Sequence, residues 1–241
     1  MILLLDLDST QYTSTKRISN YSQLCRLLIS LGSKVLRETF DRIIPPQSLQ
    51  RILKRNPAHC KLQSRRKEGI LNSVQWSKLY PTIRSEVSSA GFDISLLMVL
   101  LRTICDLSPP PAGWDAPPLP EDLSRESDIA RLKYFFDAVS SHAGEGFVSD
   151  AVFSSYWQQI HDTLVRFGGA DYEDVIKQMR CQEMDLLSEE HFRELLKQWR
   201  KVEDNIKDKL NELESAEALK MAGELLWQKM SAVCINMARV F

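Results

Sequence analysis

Between Asp128 and His142 the apolar residues Ile129, Leu132, Phe136 and Val139 recur at spacings of three, four and three, which lines them along one face of a helix. That face must bury. The run from Phe92 to Leu107 is patterned differently: Ile94, Leu96, Leu97, Met98, Val99, Leu100, Leu101, Ile104 and Cys105 leave almost no polar side, as suits a helix at the centre of a bundle. Asp93 stands where an N-cap belongs. At about 15 residues the run is shorter than the roughly 20 that a membrane span needs, so no membrane partner is expected.

The same reading carries along the chain. From Asn20 a helical pattern holds Leu24, Leu27, Leu28, Leu31, Val35 and Phe40 and should stop at Pro45-Pro46, where two amide donors are missing. Short helices are expected over 47–55 and 58–67, separated by Pro57, and another after Asn72, an N-cap candidate, until Tyr80-Pro81. Six of the ten prolines fall between Pro109 and Pro120, so that segment cannot be helical, and Trp114 in its middle is expected to pin it to the bundle.

Ser127 or Asp128 should cap the helix that carries the first stripe. Ser149 should cap the next, where Phe153, Trp157, Ile160, Leu164 and Phe167 keep one face until Gly168-Gly169. A short acidic helix over about 172–184 should precede a long one from Ser188 with a seam of Phe192, Leu195, Trp199, Val202, Ile206 and Leu213. Glu189–Arg193 and Glu203–Lys207 are spaced for ion pairs. The seam can join two chains or fold back on its own bundle; the reading here is self-packing.

Charge changes the picture only locally. The formal net charge is -1, so nothing pulls the whole chain toward nucleic acid or membrane. Residues 51–85, however, hold nine Lys or Arg against Glu68 alone. Arg65, Arg66 and Lys67, with Trp76 to stack on a base, form a candidate single-stranded RNA-binding set, set against the plainer reading of a solvated helix face. Cys25, Cys60, Cys105, Cys181 and Cys234 lie far apart with no Cys-x-x-Cys pair, which argues against a zinc site or disulfide framework and for a reducing, cytoplasmic setting. No metal and no cofactor are expected. Met1 to Leu5 resembles a signal peptide only until Asp6 and Asp8, and residues 1–19 are expected to be a loosely ordered end.

Three stretches carry a resemblance: Leu96 to Asp115 with its Pro-Pro-Ala-Gly-Trp-Asp loop, Asp128-Ile-Ala-Arg-Leu-Lys-Tyr134, and Phe153 to Gly169. Together with Asn20-Tyr21, Ile70-Leu71-Asn72, Gln75-Trp76 and Leu195 to Trp199, they make about residues 20 to 215 similar to the HEPN domains of a family of zinc-finger E3 ubiquitin ligases. The resemblance implies an all-α, HEPN-type four-helix bundle over 20–185, including an N-terminal helical layer, with a long C-terminal helical extension over 186–241. It implies dimerisation, RNA binding, and a ubiquitin-ligase-like or innate-immune-like context.

Many HEPN domains are metal-independent ribonucleases with Arg, a polar residue, and His a few positions on. Here the corresponding positions carry Phe136, Asp137 and His142. Such cleavage needs a base and an acid, which His supplies, and a cation for the charge on phosphorus, which Arg supplies. With Phe136 at the Arg position, the expected function is a pseudo-ribonuclease: a non-catalytic module that dimerises or binds RNA. The alternatives are an endoribonuclease using His142, with Arg131, Lys133 or Arg166 as substitute cation, and a pure protein–protein adaptor. A second reading of His142 is a cation at a helix C-terminus.

Overall fold

In a computed structural model of the chain, residues 15–81 and 87–238 are described, the side chains of 219, 222, 223 and 225–238 excepted. Every regular element among them is helical. The first, α1, runs over residues 15–43, five residues earlier than the stripe from Asn20 predicts, and is α-helical except for a π turn at Leu27–Gly32. The expected loose end is therefore helical at 15–19, and residues 1–14 with Met1 to Leu5 lie outside the described residues. Then follow α2 (Pro46–Lys54), α3 (Asn56–Lys67), α4 (Ser73–Leu79), a 3-10 turn at Ser89–Gly91, α5 (Ile94–Ile104), α6 (Arg125–Ser141), α7 (Asp150–Gly168), α8 (Asp171–Cys181) and α9 (Leu186–Ala238).

The helix boundaries follow from capping chemistry. Asn72 and Gln75 form a reciprocal capping box at α4, the Asp93 carboxylate accepts from Leu96 N–H at α5, and the Ser149 hydroxyl accepts from Val152 N–H at α7. Gly169 ends α7 with φ 105, a conformation that favours glycine. At α6 the cap is Ser124, whose hydroxyl accepts from Ser127 N–H, and not Ser127 or Asp128. Both of those are buried within the first turns of the helix, where Asp128 is needed for a different purpose.

The core is a ring of packed helices: α5 on α1, α1 on α7, α7 on α6, α6 on α9, and α9 back on α5. The π turn of α1 sits inside this ring, against α6, α7 and α9. Gly32 allows the close approach there, since a Cβ would lie 3.3 Å from Phe136 Cζ. All four residues of the first stripe, Ile129, Leu132, Phe136 and Val139, are fully buried. So is nearly all of α5.

The long helix folds back, as the self-packing reading expects, but on a different seam. Leu196, Trp199 and Glu203 are buried, with Phe192, Ile206 and Leu210 packed beside them. The buried line thus steps through 192, 196, 199, 203, 206 and 210, and Leu195 and Val202 flank it. The expected side-chain pairs on α9 also differ: Arg193 pairs with Glu190, and Glu203 reaches across to α6 instead of to Lys207. The first half of α9 is a wall of the core. At 53 residues the whole helix is roughly 80 Å long.

Candidate functional site

The relic positions do not converge on a pocket. Phe136 is fully buried and stacks on Trp199 of α9 at 5.2 Å between ring centroids. Asp137 takes Lys133 of its own helix and Lys207 of α9, each at 3.1 Å. His142 is the C-cap of α6, half-buried, with Nδ1 3.9 Å from Glu145. Its position at the exposed carbonyl end is where the helix dipole favours a cation.

None of the three substitute cations lies at that end of α6. Arg131 and Arg166 both hold the buried Asp128 carboxylate, Arg166 through Nε at 2.9 Å and through Nη2. The hydrogen bonds to Asp128 raise the Arg166 guanidinium above its ordinary value. Arg131 also donates to the carbonyls of Leu119 and Asp122, both at 2.9 Å, tying the end of the proline-rich segment to α6. The cation that does reach the C-terminal end is Arg200 of α9, whose Nη1 donates to the Ser140 carbonyl at 2.9 Å while Nε meets Asp204. Spacing within one helix could not reveal it, because it arrives from a helix 60 residues downstream.

The basic stretch places its members on α3 and α4. Arg66 lies over the Trp76 ring at 4.6 Å, worth about 0.5–1 kcal/mol at such an exposed site. Trp76 in turn stacks on Tyr80 at 4.4 Å, with His59 against both rings. Lys67, the last residue of α3, is exposed. Arg65 turns away to Glu68 at 2.8 Å, and Arg84 lies outside the described residues. Arg51, Lys54 and Arg55 border a separate shallow hollow of about 390 Å³.

A third constellation was not visible along the chain. Lys133, only 3% exposed, sits among three carboxylates: Glu203 at 2.7 Å, and Asp115 and Asp137 at 3.1 Å. Burial works against its charge, but Glu203 and Asp137 outweigh it and hold the ammonium above its ordinary value. Arg102 lies next to it on α5, under the Trp114 ring at 5.4 Å. Trp114 thus pins the proline-rich segment, half-buried against the core. Burial favours the uncharged Asp115, yet Arg102, Lys133 and Lys207 together hold its carboxyl below the ordinary carboxylate range. Arg102, Trp114, Asp115 and Lys133 come from two of the three stretches on which the sequence resemblance rests, and with Glu203 and Lys207 of α9 they line a cavity of about 550 Å³.

Among the described residues no helix is long and apolar enough to cross a membrane. The sequence profile of the DZIP3/hRUL138-like HEPN family matches residues 46–192. Two curated relatives are E3 ubiquitin-protein ligase DZIP3 of Mus musculus, 29% identical over 153 residues, and that of Homo sapiens, 27% identical over 150. Each comparison covers 61% of this chain and 12% of the relative, so the chain matches about an eighth of their length. No solved structure matches. With most of the chain under the profile and an all-helical fold, the chain belongs to the DZIP3/hRUL138-like HEPN family.

Proposed function

We propose that this chain is a non-catalytic HEPN-type interaction module that binds single-stranded RNA through the α3–α4 face, as a homodimer, in a ubiquitin-ligase-like setting. The observation that carries the reading is Phe136, buried beneath Trp199 where a ribonuclease of this kind would present its Arg. A cation there would supply the electrostatic stabilisation of the transition state, whose removal commonly costs about 10²–10³ in rate. Exposed Arg66, which lies over the Trp76 ring, and exposed Lys67, next to it in sequence, support the RNA side: they offer two phosphate contacts adjoining the aromatic group of Trp76, Tyr80 and His59. The relatives' printed name supports the ubiquitin-ligase setting.

Fluorescence anisotropy with a labelled single-stranded RNA, in EDTA and across a salt series, tests the reading. Wild type should bind without cleaving. The double variant R66E/K67E should bind more weakly and lower the slope of log K against log salt by at least about 1.4, or 0.7 for each lost phosphate contact. Affinity and slope unchanged by those substitutions would make the protein–protein adaptor the better reading. Light scattering on the same protein reads the dimer.

Arg200 favours one second reading, a weak endoribonuclease in which His142 is the acid–base group and Arg200 the cation. Cleavage in EDTA that is lost in both H142A and R200A would establish it.

A further inference from the structure

We propose that the cavity between α5, α6, α9 and the Trp114 turn binds a small organic monoanion, a carboxylate on an apolar body, which Arg102 takes in exchange for Asp115.

Two cations line the centre of this cavity, and they are not equally satisfied. Lys133 has three carboxylates within 3.1 Å, one for each of its donors. Arg102 has two contacts at the outer limit of hydrogen bonding: Nη1 to Asp115 at 3.5 Å and Nη2 to the Trp114 carbonyl at 3.4 Å. Its Nε is buried and makes no hydrogen bond. Burial pulls the guanidinium below its ordinary value despite Asp115, Glu203 and Asp137 nearby. A guanidinium is strongest when its planar fork meets a planar anion edge to edge, and neither present partner does so.

The partner able to leave is Asp115. Its side chain is 64% exposed and stands at the mouth of the cavity on the exposed, proline-rich turn, and when it swings into water it gives up its pair with Lys133, which keeps Glu203 and Asp137. A carboxylate arriving from solution would take over Nη1 and Nη2. Behind that edge Trp114, Met98, Val99, Ile206 and Leu210 offer apolar walls, and the volume of about 550 Å³ is ordinary for a small-molecule site.

Charge selects a monoanion. With Asp115 in place, Arg65, Arg102, Lys133 and Lys207 are matched by Glu68, Asp115, Asp137 and Glu203, and exchanging one carboxylate for another preserves the balance. A phosphate monoester would bring a second charge toward Glu203 and Glu214, which both line the cavity. The site is separate from the Arg66–Trp76 face, so its fate does not depend on RNA binding.

The test uses the full chain with 2-naphthoate as probe, followed by calorimetry and by the Arg102 Nε–H resonance. Asp115→Asn, which removes the competing charge, should tighten binding about threefold or more. Arg102→Gln should weaken it about tenfold or more, and Ile206→Trp, which fills the cavity, should do the same. In wild type 2-naphthyl phosphate should bind more weakly than 2-naphthoate. Should Arg102→Gln fail to fold, Asp115→Asn and Ile206→Trp decide. No saturable binding below about 1 mM, a corresponding Kd signalling no useful affinity, or binding that neither variant alters, overturns the proposal.

Discussion

Helix α6 carries two ionic clusters five residues apart, at Asp128 and Lys133, and they are built to opposite plans. At Asp128 a single buried carboxylate is clamped by Arg131 and Arg166, and Arg131 spends its remaining donors on two loop carbonyls. At Lys133 the ammonium is equally buried, but its neighbours include a mostly exposed Asp115, a poorly met Arg102 and an open cavity. The first cluster fastens the proline-rich segment and α7 to α6. The second leaves space and unmet hydrogen-bonding capacity, which is the signature expected of a site that exchanges partners and not of a rivet.

Mutations can break this contrast. Asp128→Ala should be the most damaging change in either cluster: it strands two guanidinium groups and should cost about 3–5 kcal/mol in urea unfolding. Phe136→Arg belongs in the same range, since it drives an unpaired charge between Gly32 and Trp199; reinstating the missing Arg is expected to unfold the core before it restores chemistry. Lys133→Met should cost less, about 1–3 kcal/mol, because Asp115 and Asp137 can turn to water and only Glu203 stays buried without its partner. Asp115→Asn should change stability by about 0–1 kcal/mol, the discount that solvent exposure imposes on its pairs. Equal losses for Asp128→Ala and Asp115→Asn would erase the distinction.

Titration sharpens it further. The Asp115 carboxyl lies below its ordinary value of 3.8, so its contribution to stability is fully present above pH 3.8 and is lost only as pH falls through the lower folded value. Lys133 lies above its ordinary 10.5, so its contribution is full below that pH and fades as pH rises through the higher folded value. Urea midpoints measured against pH should show both losses in wild type. The alkaline one should be smaller in Lys133→Met, the rest belonging to groups such as Tyr80 and Cys105, which burial pushes up to about 12.

The stripes of α5, α6 and α7 were legible because hydrophobic periodicity reports directly which face is buried. So were Asn72, Asp93 and Ser149 as caps, where a short polar side chain precedes the pattern. Ser124 was hidden because Ser127 and Asp128 are also cap-forming residue types and stand closer to the first apolar position. The α9 seam was misplaced by the same logic: Glu203 is charged, yet it is buried because Lys133 waits for it on α6. The relic motif was readable in one stretch, but the meeting of Arg102, Trp114, Asp115 and Lys133 was not. Residues from separate segments carry no common period, and only the packing of α5, α6 and α9 brings them together.

The π turn in α1 has a consequence for how the chain tolerates change in length. A helix advances about 100° per residue, so the wide turn at Leu27–Gly32 sets the rotational phase of residues 15–26 relative to 33–43. Upstream, Tyr21, Leu24 and Cys25 point inward; downstream, Val35, Leu36 and Phe40 do. Six residues of π-helix turn about as far as five of α-helix, so deleting one residue at Ile29 or Ser30 would let the turn relax into ordinary α-helix with both sets of those side chains still facing the core. Elsewhere in a buried helix a single deletion turns everything beyond it by about 100°. Here the wide turn holds one residue of slack between two apolar faces that share the same core.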